Sequence, residues 1–273
     1  MLTLIEHGDV YGPEPAGMQS ILLCGETIIM IGSINAVALA SLDVPCAIID
    51  ASGCFVTPGF IDPHQHLIGA AGEHGFFSRM PEVLYADIVR TGITTVVGCL
   101  GTDTVTRHLT SLLAKARQLH SQGLTAYIYT GGFHVPPRTI TSSVVNDLVL
   151  IPEVIGVGEV AISDVRSSQP SLAELARLVS DAYIGGIMSG KAGVTHFHVG
   201  PASGRLSLLH TLLDHHDTAA DHLYPTHIGR SRELMDEAIL LARRGAYVDI
   251  DTVEEDLGTW LAYYREHGGV LSR

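Results

Sequence analysis

Two histidines close the run Pro58-Gly-Phe-Ile-Asp-Pro-His64-Gln-His66. On an extended strand, side chains at i and i+2 point to the same side, so both imidazoles can grip one metal ion from a single strand end. Neutral imidazole suits zinc and similar transition metals. A bare His-x-His carries little weight, because two ordinary histidines fall at that spacing just as readily. The Gly-Phe-Ile-Asp lead-in and later parts of the chain add to it. Glu159 is an acid inside the apolar run 154–163. His196 and His198 repeat the i, i+2 spacing, and His227 ends the segment Leu-Tyr-Pro-Thr-His.

A buried, unpaired carboxylate costs several kcal/mol, so Glu159 needs a cation. Lysine or arginine is the ordinary partner. The metal alternative lets its two oxygens bridge two ions, and ions about 3.5–4 Å apart can clamp and deprotonate a shared water. Spacing leaves open which of His196 and His198 is a ligand. His198 lies nearer the strand end and is preferred, with His196 packing inside or supporting a ligand. His210, His215 and His216 fall in a helical stretch and read as solvated surface, while His134 stays open between the two.

These residues need elements to position them. Residues 1–57 read as short strands (19–24, 27–32 and 47–50) separated by Gly, Pro, Asn and Asp, a small β-sandwich portion that cannot stand alone. From Pro58 to Arg273 the texture changes. Apolar strand candidates at 59–66, 94–101, 126–133, 154–163, 194–200, 223–229 and 246–252 alternate with helical candidates near 80–90, 104–121, 142–150, 171–189, 205–217, 231–244 and 254–267. That alternation predicts an α/β fold with a parallel sheet covered on both faces, and functional side chains at strand C-termini predict a TIM-type (β/α)₈ barrel. The count stops at seven, and residues 268–273 read as the start of an eighth strand that is cut off. A barrel lacking a strand exposes two parallel edges. The expectation is a truncated chain, or one whose gap another chain closes.

Composition narrows the function classes. A net charge of −13 argues against nucleic acid and anionic membranes as partners. Four cysteines without a Cys-x-x-Cys spacing read as reduced thiols of a cytoplasmic protein. The N-terminus carries charge by residue 6 and lacks a basic leader with a long apolar segment. No window of 18 uninterrupted apolar residues suggests a membrane span.

With these residues in view, PGFIDPHQHLIGAAGEHG is similar to the first metal motif of the amidohydrolase superfamily. VVGCLGTD, YTGGFHVPPRTIT, VIGVGEVAISDVRS, GGIMSGKAGVTHFHVG and LYPTHIGRS resemble the isoaspartyl dipeptidase family within it. The resemblance spans the whole chain. It implies a small β-sandwich beside a distorted barrel, two divalent metal ions of which zinc is the first choice, a large homo-oligomer, and hydrolysis of β-aspartyl dipeptides. By motif, His64 and His66 resemble ligands of one metal, and His198 and His227 those of the other. Glu73 resembles the carboxylate that receives the substrate's ammonium group. Thr102 resembles a pocket-lining residue, and Arg166 and Arg230 resemble the pair that holds the substrate carboxylates, a task suited to the planar guanidinium fork.

Three departures follow. Glu159 stands at or near the place of a carboxylated lysine, in a segment slightly longer than the family's, and supplies a bridging carboxylate without added CO₂. Phe133 stands where a tyrosine is expected to polarise the scissile carbonyl, and loss of one such donor typically costs about 10²–10³ in turnover. The family's ligating aspartate, which also serves as general base, belongs to an eighth strand beyond this sequence, so no residue here is assigned that catalytic role. Asp249 and Asp251 are spare acids on the seventh segment that are not expected to replace it. The rival enzymatic reading is another amidohydrolase, dihydroorotase-like or deaminase-like, and the non-enzymatic one is an inactive truncated remnant.

Overall fold

Short β-rich runs broken by turn residues build the unit Met1–Phe60. In the computed structural model, which describes residues 1–42, 44–251 and 257–272, β1 (Leu2–Tyr11) pairs antiparallel with β2 (Pro15–Cys24), and β2 with β3 (Thr27–Gly32). A short helix α1 (Ala36–Ala40), capped by the Asn35 side chain, leads to β4 (Cys46–Asp50), which lies parallel to β1. β5 (Phe55–Val56) also pairs with β1, completing a five-stranded mixed sheet in the order β3-β2-β1-β4. Neighbouring residues Ile28, Ile29, Met30 and Ile31 on β3 are all about half exposed. Since successive strand residues face opposite sides, neither face of that strand is covered.

The unit Ile61–Arg273 carries the β/α alternation. Its strands are β6 (Phe60–Gln65), β7 (Ile93–Gly98), β8 (Thr125–Thr130), β9 (Val154–Ile162), β10 (Val194–Val199) and β11 (Leu223–Thr226), adjacent in chain order across one sheet. From β7 to β11 every pairing is parallel. The helices between them are α2 (Tyr85–Val89), α3 (Leu109–Ser121), α4 (Val144–Leu150), α5 (Leu172–Ser189), α6 (Ser207–His215), α7 (Arg232–Arg243) and α8 (Leu257–Glu266). Together they make a curled six-stranded β/α sheet of the TIM-barrel type among the described residues.

Helix faces follow the 3.6-residue period. Leu109, Leu112, Ala116 and Leu119 of α3, and Leu175, Leu178, Val179 and Ala182 of α5, are buried against Val96, Ile128, Val154 and Val157 of the strands. Burying one such large aliphatic side chain stabilises the fold by about 1.5–3 kcal/mol. α5 begins with a capping box between Ser171 and Glu174 and ends at Gly190 in the left-handed conformation. No helix among the described residues is long and apolar enough to cross a membrane.

Two local outcomes bear on the site. Of the segment expected as a seventh strand, 246–252, residues 246–251 do not form a strand, and Thr252 lies outside the described residues. Among the described residues it is tied to β11 by two backbone bonds, Tyr247 N–H to Leu223 (3.1 Å) and Asp249 N–H to Pro225 (3.0 Å), and to the following turn by Ile228 N–H to Asp249 (3.3 Å). Such sparse pairing on one side does not complete a ladder. The helix expected over 254–267 is seen from Leu257, with 254–256 also outside the described residues.

The second outcome is a bulge. Thr195 pairs with Val157 and Phe197 with Val160, so Gly158 and Glu159 together face the single residue His196. Such a bulge re-aims side chains. Gly158 is required there, because at φ +152° a Cβ would fall 2.6 Å from the His196 carbonyl oxygen.

Candidate metal centre

The extra residue in β9 turns the Glu159 side chain into the strand ends, where it is only 1% exposed. Its Oε2 lies 3.1 Å from His198 Nδ1, 3.3 Å from His64 Nε2 and 3.5 Å from His227 Nε2, and its Oε1 lies 3.4 Å from His66 Nε2. Four imidazoles from β6, β10 and the turn after β11 therefore surround one carboxylate. No lysine or arginine pairs with Glu159 among the described residues.

The donors divide into two groups that share Glu159. His64, His66, Cys99 and Glu159 offer atoms all within 4.8 Å of one another, and so do Glu159, His198 and His227. Imidazole and carboxylate donors clustered in this way suit divalent transition-metal ions, and the shared carboxylate suits two of them.

Electrostatics explain how the cluster holds together in the protein alone. Burial pushes the Glu159 carboxyl up, but hydrogen bonds with His198, His227 and His64 outweigh it and hold the group well below its usual range. Burial opposes charge on His64 and His66, yet Cys99 and Glu159 push them up to about 12 and about 9. His227 is also raised against its burial, by Asp251 and Glu159. The site thus stores protons that a cation of higher charge can displace.

His196 differs from its neighbour two residues on. It is fully buried, its Nδ1 meets the Tyr224 carbonyl at 3.0 Å, and its ring stacks on Tyr129. Burial holds it well below the usual imidazole value, which favours the neutral ring, and its Nε2 has no hydrogen-bond partner among the described residues.

Around the cluster lie the residues read as substrate-binding. Glu73 accepts from Thr102 Oγ1 (2.9 Å) and Arg166 Nη1 (3.2 Å). Burial pushes the Glu73 carboxyl up, but its own backbone N–H, Thr102 and Arg166 together bring it below the usual carboxylate value. Glu73 and Thr102 line a cleft with Gly72, Phe76, Arg79 and Asp103. The Arg166 guanidinium lies 5.2 Å from the centre of the Phe133 ring, which packs 4.5 Å from His198. The buried Nε of Arg230 has no hydrogen-bond partner among the described residues.

Three residues here carry no assignment from sequence. Asp164 holds Arg166 at 2.7 Å and His198 Nε2 at 3.1 Å, and Arg166 holds its carboxyl well below the usual range. Asp251 binds His227 Nδ1 at 2.5 Å. Cys99 sits 3.5 Å from His66 Nδ1. A faint signal existed for each: Cys99 directly follows the apolar strand β7, Asp164 comes two residues after the end of β9, and Asp251 repeats the i, i+2 spacing with Asp249.

No family model matches the chain. Among solved structures, it is similar to the β-aspartyl dipeptidase of the thermophilic keratin degrader Fervidobacterium islandicum AW-1, with 42% identity, a TM-score of 0.93, and coverage of 98% of this chain and 74% of that one. A second structure of that enzyme, in complex with the dipeptide β-Asp-Leu, matches at the same identity and TM-score and is covered over 70% of its length. A D-hydantoinase at 17% identity and TM-score 0.60, with 97% of this chain and 60% of that one covered, shares the fold.

Proposed function

We propose, because this chain belongs to the β-aspartyl dipeptidase family, that it hydrolyses the isopeptide bond of β-aspartyl dipeptides with two divalent metal ions, zinc being the first choice. The observation that carries this reading is Glu159, a buried carboxylate shared by two sets of donors. His64, His66 and Glu159 would hold one ion, and Glu159, His198 and His227 the other. When bound, such ions activate water and polarise a carbonyl.

The chain's own residues do the rest. Glu73, ionised beside Thr102 and Arg166, receives the substrate's ammonium group. Arg166 and Arg230 take its carboxylates, with Arg230 Nε, unpartnered among the described residues, offering a buried donor. Asp164 fixes the Arg166 fork through Nε (3.0 Å) and Nη2 (2.7 Å), so the guanidinium meets a carboxylate preorganised. Phe133 supplies an apolar wall and no donor. The carboxylates around the donors are already committed, Asp164 to Arg166 and His198 and Asp251 to His227, so neither is assigned the role of general base. With all four cysteines unpaired, a reducing cytoplasmic location accords with this reading.

The test is hydrolysis of β-Asp-Leu by the metal-loaded protein, run beside cyclic ureides. Cleavage of the dipeptide that disappears on chelation is the expected result. Ureide hydrolysis without dipeptide cleavage would overturn the proposal.

A further inference from the structure

Resting on the reading of a two-ion site, we propose that Cys99 supplies its sulfur, as thiolate, as a ligand to the ion held by His64 and His66. Cys99 directly follows β7 and is fully buried. Its N–H donates to the Gln65 carbonyl at 3.0 Å, which pins it beside the strand end that bears both histidines. Its Sγ, one nitrogen from each of His64 and His66, and one Glu159 oxygen lie mutually within 4.8 Å. Zinc bonds of about 2.3 Å to sulfur and about 2.0 Å to nitrogen and oxygen allow donors at such separations to close on one ion.

A simpler role would be a hydrogen bond that orients the His66 ring. The Cys99 carbonyl oxygen already lies 3.4 Å from His66 Nδ1. Sγ lies 3.5 Å from the same nitrogen, so the backbone carbonyl offers that nitrogen a second acceptor and the ring keeps an orienting partner when the sulfur turns to a metal. On binding, the S–H bond breaks, its proton leaves to solvent, and a sulfur–metal bond forms. The thiolate adds a second negative charge beside Glu159. Being soft, it ranks zinc and cadmium above manganese and magnesium at this position.

Affinity alone does not separate the two roles, because loss of an orienting partner also weakens metal binding, by about 10- to 100-fold. X-ray absorption at the zinc edge does separate them. The sample is the full chain carrying Cys24→Ser, Cys46→Ser and Cys54→Ser, loaded with zinc, so that Cys99 is the sole remaining thiol. The expected spectrum contains a sulfur shell at about 2.3 Å, which Cys99→Ser and Cys99→Ala remove while zinc stays bound. Bound zinc with nitrogen and oxygen neighbours only, in the triple variant, overturns the thiolate and leaves the two-ion site standing. No bound zinc in that variant overturns both. Should the Cys99 variants fail to fold, the triple variant decides by itself.

Discussion

Asp251 Oδ2 lies 2.5 Å from His227 Nδ1, while the Nε2 of the same ring faces Glu159 at 3.5 Å. A carboxylate behind an imidazole fixes the ring's tautomer and raises its basicity toward a metal. Asp251 is therefore an orienting group. Asp251→Asn is expected to weaken the second ion about 10- to 100-fold with little change at the first. Titration with a metal indicator checks it, and an unchanged pair of affinities would remove Asp251 from the site.

Glu159→Gln keeps shape and removes charge. Both donor groups lose their shared anion, so the expected outcome is loss of metal at both positions and of β-Asp-Leu hydrolysis. Elemental analysis gives the answer. Full metal content in this variant would sink the bridging role.

The metal-free protein has a defined pH response. His66 is raised from 6.5 to about 9 against the cost of its burial, by Cys99 and Glu159. A raised imidazole stabilises the fold fully below its unfolded value, and that contribution is lost as pH climbs through the folded one. Thermal unfolding without metal should therefore weaken between pH 6.5 and about 9. Metal loading should flatten the curve, because ions then replace the protons. The same competition predicts that metal affinity falls as pH drops.

Asp103 braces the loop that carries Thr102. It accepts from Arg79 at 2.8 Å, Arg107 at 3.1 Å and the N–H of Thr106 at 2.8 Å. Slight burial raises its carboxyl, but the Thr106 and Val105 hydrogen bonds and Arg107 bring it from 3.8 to about 2. Its contribution is present above 3.8 and lost as pH falls through about 2. Asp103→Asn should lower the Tm at neutral pH and flatten the acid limb of a stability curve measured by circular dichroism.

Phe133→Tyr returns a hydroxyl to a wall that packs against His198. If that hydroxyl reaches the scissile carbonyl, kcat should rise by about 10²-fold, the usual worth of one oxyanion donor. Steady-state kinetics on β-Asp-Leu measures it, and an unchanged kcat would place the polarising group elsewhere.

Much of the fold was legible because burial leaves a periodic mark. The apolar runs that became β6 to β11 and the helices between them follow from covering a parallel sheet on both faces. The segment at 246–252 carried the same apolar mark, yet its described residues, 246–251, pair too sparsely with β11 to be a strand. Pairing belongs to neighbours, and the segment's own composition does not contain it.

By itself, the sequence determined that His64 and His66 share one side of a strand, that Glu159 is an acid in an apolar run, and that the family motifs stand in order. Period-two geometry acts over a few residues, so spacing suffices for that. Only the tertiary structure distinguishes the surroundings of His196 from those of His198. The bulge at Gly158 and Glu159 aims the carboxylate at His198, while Tyr129 and the Tyr224 carbonyl engage His196. It alone brought Cys99, Asp164 and Asp251 to the imidazoles. Those contacts join residues 24 to 34 positions apart, and only the side-by-side arrangement of the strands brings such residues within hydrogen-bond range.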